Sequence, residues 1–593
     1  MTVAPAFGPR LEPGGGATFR LWAPAAKRVD LVDARVRPLA ATADGWFEIF
    51  IGEAGPGFRY KFRIDDELDV PDPASQFQPE DVAGPSEVVA HDYTWTCTGW
   101  RGRPWSDVVF MELHVGAFTP SGTFRGVIER LDHLVETGVT AIELMPVAEF
   151  AGRRNWGYDG VLLYAPDSAY GRPDDLKALI DAAHARGLMV FLDVVYNHFG
   201  PEGNYLGRYA PAFFTSDRHT PWGDAIDYRV PEVRAFAIEN ALHWLRHYRF
   251  DGLRLDAVHA IEEPGDPPVL EALSRAVGEF AKETGRHIHL VLENDDNQAS
   301  LLDPGTAVPA GQYRAQWDDD YHHVWHALLT GECGGYYSDY AATPREGLAR
   351  ALASGFVYQG DTSAHRKGWP RGEPSGHLPP AAFVNFLQNH DQIGNRAFGE
   401  RLGTLASAAS IEAALAITLI APSPPMLFMG EEWGATQPFP FFCDFSGDLA
   451  EAVRTGRARE FEAQFKDIPT ERPIPDPLAE DTFRSAVLAW SDRDRAPHRA
   501  RWELVRALLA VRRGAIAPLL DRIAPCASVA RIDGNVLQAA WGIAGGETLR
   551  LLANLGDGDA ARAHVYPSGR ALWNGSAPER LPPWAVYWQL EPL

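Results

Sequence analysis

Between residues 108 and 433, strand-length apolar runs alternate with helix-length segments, and that alternation leaves few folds open. The apolar runs are VVFMELHV (108–115), AIELMPV (141–147), LMVFLDVVYNH (188–198), FDGLRLDAVH (250–259), HIHLVLEN (287–294), YRAQW (313–317), FVNFLQNHD (383–391) and PMLFMGEEW (425–433). Helical signals lie at 124–139, 174–187, 230–248, 268–284, 344–354, 407–420 and 500–513. In the first, Val127, Leu131, Leu134 and Val135 recur at helical spacing. The second stops at Gly187, and the third starts with Pro231 near its first turn. Strands joined by crossover helices run parallel. Eight of them predict a closed (β/α)8 barrel, the TIM-barrel form of the α/β class. The competitor is a doubly wound open sheet. No GxGxxG turn supports it, and the strand count favours closure.

The flanks read differently. Residues 1–16 are rich in Gly and Pro and are expected to be loose. ATFRLWAP (17–24), KRVDLVDA (27–34), GWFEIFIG (45–52) and FRYKFRID (58–65) are short alternating strands separated by turn residues, a β-sandwich pattern. It ends in PDPASQFQPEDVAGPSEVV (71–89), too rich in Pro for a strand interior. Beyond about 516, NVLQAAWGI (535–543), TLRLLANL (548–555) and WAVYWQLE (584–591) announce a second small β domain. The expected division is an N-terminal β-sandwich over 1–100, the barrel over 101–515 with a short insert at 199–229, and a C-terminal β-sandwich over 516–593.

A formal net charge of -24 argues against nucleic acid or an anionic membrane as partner, since both need a basic face. No apolar run reaches membrane-spanning length, and the N-terminus lacks a basic start followed by an apolar core. The four cysteines (Cys97, Cys333, Cys443, Cys526) are far apart and form no CxxC pair. Together these features predict a cytoplasmic protein.

In a barrel of this kind the working residues sit at the C-terminal ends of strands. Those ends carry Asp193 with His198, Arg254 with Asp256, Glu293, and His390 with Asp391. Residues two apart on a strand share a face, so Arg254 and Asp256 should project together. A guanidinium beside a carboxylate keeps it ionised. Clustered carboxylates push their pKa values apart, so that one stays charged while another holds its proton. Glycoside hydrolysis by two carboxyl groups requires that pair. A salt-bridged strand end is the structural alternative. A catalytic metal is not expected: no HxxEH or HExxH pair is present, and Arg254 would repel a cation. Structural calcium in a loop stays open, and no cofactor is implied.

DVVYNH (193–198), GLRLDAVH (252–259), LEND (292–295) and FLQNHD (386–391) resemble the four signature segments of the α-amylase family of glycoside hydrolases, in the family's order. The resemblance spans roughly 106–515, and the N-terminal segment resembles the family's starch- and glycogen-type module. It implies that Asp256 is the nucleophile, Arg254 its ionising partner, Glu293 the acid and base, and Asp391 a third carboxylate that holds sugar hydroxyls. It implies that His198 and His390 bond the sugar at the cleavage subsite. Asp193 would be a buried support or a direct contact, and Tyr158 in NWGYDG (155–160) a ring stacked under the sugar or a core residue. At 258–259 the family often has Lys-His; Val258-His259 here points to a different subsite beyond the cleavage point. LQNHDQIGNRAFGERL (387–402), QWDDDYHH (316–323) and the 71–89 linker resemble the trehalose-releasing branch of the family more than its branching and debranching enzymes. That likeness implies hydrolysis of the α-1,4 bond next to the terminal trehalose of maltooligosyltrehalose, with trehalose and maltooligosaccharides as products. The alternative is glycogen-branching transfer. Asp318, Asp319, His322, Gln392 and Asn395 are then candidates for reading the trehalose hydroxyls. A solvated loop is the competing account of the acidic run. The likeness also leaves open a partnership with a synthase that forms maltooligosyltrehalose.

Overall fold

A computed structural model describes residues 6–220, 223–261, 265, 267–303, 311–464, 473–562 and 569–592. Residues 1–5 of the expected loose start lie outside them. The centre is a closed barrel of eight parallel strands: β1 (Phe110–Leu113), β2 (Ala141–Leu144), β3 (Met189–Val194), β4 (Gly252–Leu255), β5 (His289–Leu292), β6 (Ala315–Trp317), β7 (Phe383–Phe386) and β8 (Pro425–Phe428). β8 pairs back with β1, which removes the sheet edge. Large side chains fill the interior, among them Phe110, Phe191, Val291, Trp317, Phe386 and Met426. Outer helices include α1 (Pro173–Ala185), α2 (Pro231–His247), α3 (Asp319–Thr330) and α4 (Gly447–Gln464).

Two antiparallel sheets precede the barrel. One holds Ala17–Trp22 between Arg10–Leu11 and Trp46–Ile51; the other is built on Val29–Val32 and Arg59–Ile64. Their facing sides are apolar, with Phe19, Leu31 and Phe62 fully buried. Phe7 meets Phe236 of α2 edge-on at 5.1 Å, which seats this sandwich against the barrel. The C-terminal region has a five-stranded antiparallel sheet and a two-stranded one. Its Trp588 stacks on Trp541 at 5.5 Å and donates its indole N–H to the Ala416 carbonyl at 3.0 Å, on a barrel helix. Among the described residues no helix is long and apolar enough to cross a membrane.

Several elements differ from the sequence expectation. Every barrel strand is shorter than its apolar run. The run 188–198 is a strand only over Met189–Val194, because Val195 to His198 stay buried in the loop at the barrel mouth. Hydropathy records burial, so it does not mark where the ladder stops. The helix expected over 124–139 is two, Phe124–Ile128 and Leu131–Thr137. The 199–229 insert contains an antiparallel hairpin, Phe214–Thr220 with Gly223–Ile226. The acidic run at 316–323 is no solvated loop: it ends β6 and opens α3, with Asp318 and Asp320 buried.

Parallel register sets the charges inside the barrel. Asp193 on β3 pairs laterally with Arg254 on β4, and Glu112 on β1 with Glu143 on β2. Both Glu143 oxygens are buried without a hydrogen-bond partner. Burial, then the charges of Asp193 and Glu112, push its carboxyl well above the ordinary range, against the pull of Arg254. A raised native pKa favours the folded state at low pH, and that contribution is lost as pH rises through the native value. Glutamine cannot ionise. Glu143→Gln should therefore match the parent in acid and exceed it increasingly toward alkaline pH, measured as the urea midpoint across a pH series.

Candidate active site

The strand ends converge on a cavity of about 490 Å³, within the size range of small-molecule sites. Arg254, Asp256, Glu293 and Asp391 all line it. Arg254 sits at its floor, 3% exposed. Its Nη1 donates to both Asp193 oxygens at 2.9 and 2.8 Å and to Asp256 Oδ1 at 2.7 Å. Its Nη2 lies 3.8 Å from Glu293 Oε2, and its guanidinium stacks over Trp317 at 4.1 Å. One cation thus touches three acids from three strands.

Asp256 follows β4. Its Oδ2 accepts from Asn197 Nδ2 at 2.9 Å. The next residue, Ala257, takes the left-handed conformation (φ 41°, ψ 48°), which is rare without glycine and is held where the surroundings dictate it. The sharp turn brings the Ala257 N–H to Glu293 Oε2 at 2.6 Å. Burial works against the charge on Asp256. Arg254, His198 and the bonds from Asn197 and Arg254 outweigh it and hold the pKa below the usual carboxylate value. Glu293 goes the other way: burial raises it, the Asp256 charge adds to the rise, and Arg254, His259 and the Ala257 N–H do not cancel it. Their surroundings thus move the two carboxyls in opposite directions.

Asp391 lies in the first turn after β7 and opens to the cavity, with Oδ1 accepting from Asn395 Nδ2 at 2.7 Å. His390 beside it bonds Glu112 through Nδ1, and Glu112 Oε2 also takes the His390 N–H at 3.1 Å. Burial disfavours the imidazolium, but Glu112 and Asp391 outweigh that and raise the His390 pKa. Tyr158 stacks on His390 at 5.0 Å and donates its hydroxyl to Asp193 at 2.6 Å. His198 donates through Nε2 to the Tyr158 carbonyl at 2.8 Å. His259 accepts the Asp295 N–H at 3.2 Å on the rim.

Not every residue expected in the site lines the cavity. His259, Asp319, Gln392 and Asn395 do, as do Tyr158, His198 and His390. Gln392 Nε2 donates to Asp319 Oδ1 at 3.1 Å, joining two of them. Asp193, Asp318 and His322 lie behind the wall. Asp193 is spent on Arg254 and Tyr158. Asp318 caps α3 by accepting the Tyr321 N–H at 3.3 Å, and His322 bonds the Leu387 carbonyl at 2.6 Å and the Tyr337 hydroxyl at 3.0 Å. The helical start at Asp319 explains this: successive residues on a helix face different ways, so only one of the adjacent acids can reach the cavity. His323, inside the 316–323 run, and Tyr336, from a segment with no strand-end signal, line it instead. Glu112 and Asn197 were missed although both stand inside the apolar runs. A lone acid within VVFMELHV was the available sign of Glu112.

The described residues set a carboxyl held below its usual range beside one pushed above it, in a cavity at the C-terminal mouth of a (β/α)8 barrel. The chain also matches known families in three places: carbohydrate-binding module 48 (isoamylase N-terminal domain) over 6–77, the α-amylase catalytic domain over 96–210, and a domain of unknown function over 526–588. Fold and site therefore define a glycoside hydrolase of the α-amylase family. A malto-oligosyltrehalose trehalohydrolase of Deinococcus radiodurans is 42% identical over 94% of this chain and 90% of its own length. One from Saccharolobus solfataricus is 40% identical over 82% and 84%. A solved structure described as a putative α-amylase from Salmonella typhimurium superposes with TM-score 0.94 at 44% identity, covering 99% of this chain and all of that one. A pullulanase from Paenibacillus barengoltzii (TM-score 0.72, 19% identity, covering 100% of this chain and 96% of that one) shares the fold. The chain belongs to the malto-oligosyltrehalose trehalohydrolase family.

The fork of Arg254 suggests a test. Lysine keeps the charge but lacks the planar group whose stacking on Trp317, with Nη2 toward Glu293, holds Nη1 between Asp193 and Asp256. Arg254→Lys should move the acid limb of the kcat/KM profile to higher pH, as Asp256 loses its partner. It should also lower kcat/KM by about a hundredfold at neutral pH, a loss of the size that follows removal of a charge-stabilising donor.

Proposed function

We propose that this protein hydrolyses the α-1,4-glucosidic bond next to the terminal trehalose of maltooligosyltrehalose, with retention of the anomeric configuration. The observation that carries the mechanism is the contact of one guanidinium with both Asp256 and Glu293, which have opposite protonation preferences. Such close pairing suits double displacement, in which no water need fit between the carboxyls in the first step. Glu293 gives its proton to the glycosidic oxygen while Asp256 Oδ attacks the anomeric carbon. The C–O bond to trehalose breaks, and a β-glycosyl ester forms on Asp256. Trehalose leaves. Glu293, now ionised, takes a proton from water, whose oxygen attacks the same carbon and releases Asp256. Two inversions restore the α configuration.

In this reading Asp391, His198, His390 and the Tyr158 ring hold the sugar at the cleavage point. Asp193 acts by positioning Arg254. The bent, non-reducing trehalose end lies toward His259, Asp319, Gln392 and Asn395. Burial, then the neighbouring carboxyls Glu293, Asp391 and Asp295, push Asp319 well above the ordinary carboxyl range. A synthase that builds maltooligosyltrehalose would supply the substrate. The four cysteines are free, which fits a reducing cytoplasm.

Incubation with maltooligosyltrehalose and with plain maltooligosaccharide, followed by product separation, tests the assignment. Trehalose should appear from the first, and plain chains should be cut far more slowly. Equal rates would refute it, and new α-1,6 bonds on amylose would mean a transferase. Asp256→Asn and Glu293→Gln should each lower kcat by about 10²–10⁴-fold with the fold intact by circular dichroism. Asp319→Ala should cut the preference for the trehalose-ended substrate by about tenfold or more, since a polar pocket that loses its partner discriminates poorly.

A further inference from the structure

On the outer wall of the barrel, residues 88–97 leave the N-terminal sandwich and pass across α1 and α2. The Thr96 and Cys97 N–H groups donate to Asp181 of α1 at 2.9 and 2.8 Å. A few residues earlier, His91 lies against two histidines of α2. It stacks on His247 with ring centroids 3.9 Å apart and meets His243 edge-on at 5.5 Å. His243 and His247 are four residues apart on one helix, so they share a face. One ring nitrogen from each of the three lies within 4.8 Å of the other two. Both ring nitrogens of His91, and Nε2 of His243, are buried with no hydrogen-bond partner. Buried polar atoms without partners are costly, and three in one cluster of imidazoles call for an occupant.

We propose that His91, His243 and His247 form a binding site for a divalent transition-metal ion of the zinc type, which clips the 88–97 segment to α2. Imidazole nitrogen suits Zn²⁺, Cu²⁺ and Ni²⁺ and disfavours Ca²⁺ and Mg²⁺. Tetrahedral bonds of about 2.0–2.1 Å place nitrogens roughly 3.4 Å apart. His91 and His247 are half-buried, and binding requires their stacked rings to turn until nitrogens now within 4.8 Å reach that separation. The fourth position is left for water. Two cations face the cluster. Lys177 of α1 is buried and donates to Asp174 at 3.0 Å and to the Ala90 carbonyl at 3.5 Å, and Arg246 is exposed. Asp174 balances Lys177. The Tyr248 ring closes the inner side, 5.6 Å from His243. Burial, aided by Lys177 and by neighbouring histidines, keeps His91 and His243 neutral, and burial with Arg246 and Lys177 lowers His247 to about 4. Neutral imidazole is the ligating form. The site is remote from the chemistry: His247 ends α2 just before β4 begins, whereas Asp256 and Glu293 follow the far ends of β4 and β5.

Zn²⁺ titrated by calorimetry into the chelator-stripped full-length protein should bind one to one. His91→Gln and His247→Gln, at half-buried positions where the fold tolerates change, should each weaken binding by about tenfold or more. Co²⁺ in its place should give the visible absorption of a tetrahedral imidazole site, lost in both variants. Zn²⁺ should raise the parent's Tm and leave that of both variants unchanged, with hydrolytic activity equal in all three. Absence of saturable binding would overturn the proposal, as would binding that survives both substitutions undiminished.

Discussion

The structure turns on the buried guanidinium of Arg254. A charge this far from water is costly unless its neighbours answer it, and here three acids do so at once. Asp193 takes the bidentate share, Asp256 a single strong bond, and Glu293 a longer contact. Trp317 covers the open face of the plane. The cation is therefore both neutralised and fixed, and the unequal sharing helps to leave Asp256 below and Glu293 above the ordinary carboxyl range. A positive charge placed symmetrically would have lowered both.

Further layers keep that arrangement still. Asp193 is anchored from the other side by Tyr158, whose ring rests on His390, which is held in turn by Glu112 from β1. Beyond Glu293, Asp295 is gripped by Arg366 and Arg371. Arg371 also reaches Asp320 at 2.9 Å, and Asp320 takes the Val357 and Tyr358 N–H groups at 2.7 and 2.9 Å. The start of α3 is thereby tied to the loop after the helix Pro344–Ser354. Asp319 and Asp320 differ by one position on α3: one lines the cavity and the other anchors the wall.

Much of this was legible along the chain. The alternation of apolar runs gave eight strands, and the acids at their ends marked the mouth of the barrel. Arg254, Asp256, Glu293 and Asp391 do meet in one cavity. The errors share a cause. Burial at the barrel mouth continues past the last ladder bond, so strands looked too long and Asn197 was hidden inside a run. The acidic segment 316–323 looked uniform in sequence, yet a helix start sorted its residues: Asp319 lines the cavity, while Asp318 and His322 serve as cap and wall. The histidines of α2 stood four apart in plain view, but nothing local tied them to His91, some 150 residues earlier.

The sequence by itself determined the kind of elements, their order, and which side chains end each strand, because periodicity and turn chemistry act over a few residues. Only the tertiary structure decided which of those side chains share a charge, which face the cavity and which stand behind it. Those outcomes depend on lateral register and barrel closure, which set Asp193 beside Arg254 across 61 positions of chain. Coulomb and burial energies act through space, so the protonation of Glu293 is a property of the folded neighbourhood and not of the residues next to it in the chain.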